Sequence, residues 1–108
     1  MNLAVVDLIY HVTTSRWWNK FSSSEAYETE TLAREKFIHC STREQVKGVL
    51  KRYYANQMEL VLLHINPTLL QPELRYEVAT FGQLFPHVYG PINKEAIVRV
   101  EKLDTASK

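Results

Sequence analysis

The run Phe37-Ile38-His39-Cys40-Ser41-Thr42 changes from strand-forming to helix-opening chemistry within a few residues, and the rest of the chain must accommodate that change. Phe37 and Ile38 suit a pleated, half-buried surface. Ser41 with Glu44, and Thr42 with Gln45, both have the spacing of a capping box. A strand is therefore expected to deliver His39 and Cys40 directly to the start of a helix. Unpaired N–H groups at such a start favour an anion or an electron-rich ligand. The strand–turn–helix reads as the floor of a ligand site. Adjacent strand residues point to opposite faces. If His39 faces the pocket, Cys40 is expected to face the core.

Leu8-Ile9-Tyr10-His11-Val12 reads as a strand, with Leu8, Tyr10 and Val12 on one face and Ile9 and His11 on the other. Thr14 or Ser15 is placed to cap a short helix carrying Trp17 and Trp18, one ring expected in the core and one at a rim or cleft. Asn19 to Thr29 is the most loop-like stretch. Thr29 to Lys36 favours a helical turn or two. Ser41 to Tyr54 is the clearest helix, with Val46, Val49, Leu50, Tyr53 and Tyr54 at helical spacing. Glu59 to Ile65 is almost continuously apolar and reads as a central strand buried on both faces. His64 within it is expected to be a hydrogen-bonded structural group.

Leu74 to Val78 alternates, which predicts a strand with Leu74, Tyr76 and Val78 inward and Arg75 and Glu77 opposite. Phe85 to Ile92 holds two prolines and a glycine, and a regular element is not expected there. Its aromatics and His87 suit instead a stiff loop walling a pocket. Ala96 to Val100 reads as the last strand, and the tail from Asp104 to Lys108 as frayed. Two helical stretches among about five or six strands, without regular β-α-β alternation, predict an α+β fold.

A chain of 108 residues is expected to form a single domain, residues 1–108, with a core of its own. A net charge of +1 argues against strong generic nucleic-acid binding and leaves room for one nucleotide-sized or small-molecule ligand. The lone cysteine cannot form an internal disulfide, and no apolar run is long enough to span a bilayer, so the expected location is the cytoplasm. His11 and His39 late in strands, and His87 in the stiff loop, are the chemistry-bearing candidates. They show no short metal-ligand spacing, so no metal is expected. His39 is a poor base for its neighbour Cys40, and no nucleophile elbow or phosphate-binding glycine loop is present.

Four motifs carry a resemblance: Ile9-Tyr10-His11-Val12-Thr13; Phe37 to Thr42 with Gln45; Leu74-Arg75-Tyr76-Glu77; and Phe85 to Ile92. Over about residues 8–102 the chain resembles a bacterial domain-of-unknown-function family, number 952. That family's fold is similar to ADP-ribosyltransferases, including the RNA 2′-phosphotransferase branch: a split β-sheet with flanking helices and an NAD-binding cleft. The resemblance implies that His11, with Thr13 in its motif, meets the ribose or nicotinamide side of NAD. It implies that His39 orients the ligand, with Ser41 and Thr42 nearby. Glu77 is the carboxylate available to stabilise a ribosyl transition state, and His87 with Tyr89 would wall the site. Two functions follow as expectations: transfer of ADP-ribose or action on a phosphorylated acceptor, or a non-catalytic nucleotide- or metabolite-binding module.

Overall fold

The computed structural model describes residues 6–103. The expected frayed tail and the first residues of the N-terminal lead-in lie outside them. Strand β1 (Ile9–Thr14) pairs antiparallel with β4 (Leu60–Ile65), setting Ile9 opposite Ile65 and His11 opposite Leu63. On its other side β4 pairs with β8 (Ile97–Leu103), so β4 is the centre of a three-stranded sheet. Its nearly unbroken burial is what its apolar sequence demands of a strand covered on both faces. On one face Ile9, Val61, Leu63 and Ile65 join the main core. On the other, Tyr10, Val12, Leu60 and Leu62 pack against Val46, Val49, Leu50 and Tyr54. Those four residues come from the region of helix α3 (Val46–Tyr53). The helix begins later than the sequence pattern suggests, because a 3-10 turn over Arg43–Gln45 precedes it. The Thr42 N–H donates to Gln45 Oε1 at 2.9 Å, as the capping-box spacing requires. Tyr53, expected on the apolar face, is instead 56% exposed.

A second three-stranded sheet has the order β3 (Ile38–His39), β6 (Leu84–Tyr89), β5 (Glu73–Val78). Two sequence expectations fail here. Phe85 to Tyr89 lies within a regular strand, and a central one. It tolerates Pro86 because the Pro86 carbonyl accepts from the Cys40 N–H at 2.9 Å, just past the end of β3. In an antiparallel ladder a residue's N–H points to the same side as its carbonyl, so the missing donor faces that end and not β5. Strand β5 is an edge strand: Leu74 is half-buried, but Tyr76 and Val78 are exposed. Glu77, on the opposite face with Arg75, is half-buried.

The two sheets meet at one bridge, where Tyr10 N–H donates to the Ser41 carbonyl at 2.8 Å and Ser41 N–H to the Tyr10 carbonyl at 2.7 Å. Helix α1 (Ser15–Asn19) is capped by Thr14, one of the two candidates, and in place of one core ring and one rim ring both Trp17 and Trp18 pack half-buried on the core. Helix α2 (Leu32–Glu35) supplies the expected short turn of helix. Within the loop-like stretch lies β2 (Ala26–Tyr27), paired with β7 (Ile92–Asn93). Tyr27 is completely buried. Eight strands among the described residues, with three short α-helices, make an α+β fold.

Candidate functional site

The cleft forms where β1 runs beside the β3 end and the first turns toward α3. It encloses about 690 Å³ and is lined by His11, Thr13, His39 and Ser41, among others. Period two puts His11 and Thr13 on the same side of β1, and Tyr27 from β2 closes on them. The His11 Nδ1 atom lies 2.7 Å from the His39 carbonyl oxygen, which only accepts. Nδ1 therefore carries the proton, and in the neutral ring Nε2 accepts from the Tyr27 hydroxyl at 2.9 Å. Burial holds His11 down to about pKa 4, against the weaker opposing pull of the His39 carbonyl. Burial also pushes the Tyr27 phenol up, and the neighbouring Thr13 hydroxyl offsets this in part. His11 is thus a neutral, single-tautomer group with both nitrogens engaged.

His39 and Cys40 diverge as alternation requires. Cys40 is a core residue whose thiol burial pushes far above its usual range, so it is not a nucleophile near neutral pH. The His39 ring is exposed, and its Nε2–H donates to Glu35 Oε1 at 3.2 Å. The ring lies on the sheet face shared with Phe37, His87 and Tyr89. There Phe37 stacks on His87 with ring centres 4.1 Å apart. Glu77 Oε1 accepts from Tyr89 at 2.6 Å and from His87 Nδ1 at 2.7 Å. The Tyr89 hydroxyl first, then His87, holds the Glu77 carboxyl below its usual range.

Of the residues proposed from sequence, the structure brings His11, Thr13, His39 and Ser41 to one cleft. Thr42 sits just beyond, holding the 3-10 turn. Glu77, His87 and Tyr89 form a separate cluster that touches the first through His39. His64 is the structural group expected, hydrogen-bonded to Glu101 at 2.9 Å. Sequence reasoning missed Tyr27, Glu30 and Tyr54, and placed one tryptophan at a rim or cleft without choosing Trp17; all four also line the cleft. Tyr27, a lone aromatic in a serine- and glutamate-rich stretch, left no periodic signal. Among the described residues no lysine or arginine lines the cleft, and Glu30 is its one carboxylate.

Fold and site together define a small α+β protein with a buried, neutral histidine at the floor of a hydroxyl- and aromatic-lined cleft. The chain belongs to the family described as "Protein of unknown function (DUF952)", which matches residues 12–100. It is similar to the crystal structure of protein CC0527 from Caulobacter crescentus, with a TM-score of 0.82 and 28% identity over 90% of this chain and 86% of that one. The solution NMR structure of CC0527 gives a TM-score of 0.77 at the same identity, covering 90% and 84%. A comparison with curated proteins finds no match. Among the described residues no helix is long and apolar enough to cross a membrane.

Proposed function

We propose that this protein binds NAD or a related nucleotide, seating a nucleoside portion against His11 and leaving the phosphates toward solvent. The observation that carries this reading is the composition of the cleft around a proton-fixed imidazole. The Ser41 hydroxyl lines the cleft, the Thr13 and Tyr54 hydroxyls can exchange their partners Tyr27 and the Val12 carbonyl for a ribose, and the Trp17 ring offers a face to a planar base, in a volume within the range of small-ligand sites. The lack of a lining cation favours an uncharged moiety inside. Because both His11 nitrogens are engaged, it serves as a shaped wall rather than a proton carrier. Transfer of ADP-ribose is a second reading, favoured by one observation: the cleft does contain a carboxylate, Glu30, whereas Glu77 is committed to His87 and Tyr89.

Titration of NAD, nicotinamide riboside and AMP against thermal unfolding tests the first reading. A ligand at about 100 times its dissociation constant adds about 2.7 kcal/mol to stability. Thr13→Val should weaken binding about fivefold, the worth of one hydrogen bond of about 1 kcal/mol. No stabilisation by any of the three ligands would refute nucleotide binding. Release of nicotinamide from NAD, lost in Glu30→Gln with binding retained, would establish the second reading over a purely binding role.

A further inference from the structure

We propose that His39 and His87 form a binding site for a divalent transition-metal ion of the zinc class on the outer face of the β3–β6–β5 sheet, apart from the nucleotide reading. The two residues stand directly opposite each other in the β3–β6 ladder. Cross-strand neighbours on one face keep their side chains within reach of each other. Their ring centres are 5.3 Å apart. Two imidazoles on one tetrahedral ion, with metal–nitrogen bonds of about 2.0–2.1 Å, place their ring centres about 5.2 Å apart. That separation lets the two rings share an ion once His39 turns its free nitrogen toward His87.

The hydrogen bonding selects the atoms. Glu77 occupies His87 Nδ1, and Glu35 occupies His39 Nε2. A carboxylate only accepts, so those two nitrogens carry the protons. In the neutral rings the lone pairs then fall on His87 Nε2 and His39 Nδ1. An imidazole held from behind by a carboxylate is the arrangement of metal-ligating histidines, in which the partner fixes the ring and raises its basicity. An independent observation points to a ligand: His87 is 4% exposed, and its Nε2 is the one buried side-chain nitrogen or oxygen among the described residues without a hydrogen-bond partner. A buried acceptor left unpaired is destabilising, and a metal would satisfy it.

The local charge chooses a cation over an anion. Glu35 and Glu77 are both held below the usual carboxylate range and so are ionised at neutral pH. Arg75 stands opposite His87 in the β5–β6 ladder, but its charge is offset by Glu73 and it lies over the face of Tyr89. Imidazole donors suit zinc, copper, nickel and cobalt rather than magnesium or calcium. Among the described residues no group of three or more His, Cys, Asp or Glu side chains converges as a metal centre. Water therefore completes the coordination, and the exposed His39 ring swings to admit it.

The test is titration of untagged protein with Zn²⁺ alone against a competing chromophoric chelator, repeated with Co²⁺ to read coordination from its visible spectrum. The expected result is one saturable site, weakened at least tenfold in His39→Gln. Glu35→Gln should weaken it by about 10–100-fold, as loss of a supporting carboxylate does. His39 and Glu35 are exposed enough for both variants to fold, and His64→Gln should leave binding unchanged. Equal affinity in wild type and His39→Gln, or no saturable binding, would overturn the proposal.

Discussion

Acid should destabilise this protein through His11, by an amount that follows from its burial. In the folded chain the imidazole is held down to about 4, whereas the unfolded chain titrates at the ordinary 6.5. Between these values the unfolded state binds a proton that the native state refuses, so stability falls as pH falls. At pH 5.0 the unfolded chain gains about 2 kcal/mol relative to pH 7.5, from 1.36 kcal/mol per pH unit below its own pKa. The native chain gains almost nothing over the same interval, and full burial leaves little solvent to soften the difference. Urea unfolding at pH 7.5 and 5.0, for wild type and His11→Gln, isolates the effect. The variant is expected to start less stable yet lose about 2 kcal/mol less on acidification. Stopping at pH 5.0 avoids most of the titration of Glu35, Glu73, Glu77 and Glu95, whose depressed carboxyls lose stability at lower pH. Parallel pH dependence in the two proteins would refute the assignment of a neutral, buried His11, as would a ring titration near the ordinary value by NMR.

Tyr27→Phe leaves His11 Nε2 without its donor in a dry site and should cost about 1–3 kcal/mol in the urea midpoint, with an unchanged m-value. Cys40 should resist a thiol-directed disulfide reagent in the native protein at pH 8 and react fully in urea. Rapid native labelling would show that its burial has been misread. Gly90 has φ +152°, and a Cβ there would lie 2.9 Å from Pro72 Cβ, so Gly90→Ala should destabilise by more than about 1 kcal/mol. An unchanged midpoint would mean that the Gly90–Pro72 contact relaxes freely.

The legible parts of this molecule were those in which local pattern and tertiary environment agree. Leu60 to Ile65 reads as a doubly covered strand because nothing else buries so many consecutive apolar side chains. His11 reads as sharing a face with Ile9 by period two, and both faces of that strand prove to be buried. Tyr27 was hidden because two residues are too few to show a period, and the serines around it speak only of loop. The prolines of residues 85–92 argue against a ladder when the partner strand is unknown; β3 ends opposite His87, one residue short of Pro86, which no local rule reveals. Tyr76 and Val78 alternate with Leu74 as an inward set would, and Leu74 does pack on the core, but the edge strand carries the other two past it into solvent. Glu77 and His87 are ten residues apart in sequence, and only the β5–β6 register brings them to one hydrogen bond.

The Tyr10–Ser41 bridge makes the cleft mechanically sensitive. Two backbone hydrogen bonds there and the His11–His39 link two residues away stitch the sheets along a short seam. A relative tilt of the sheets stretches these three bonds together with the core that Ile9, Val61, Ile38 and Val88 share across them. The amides of Tyr10 and Ser41 are thus natural strain gauges: their hydrogen-exchange rates would register occupancy of the cleft without a probe inside it.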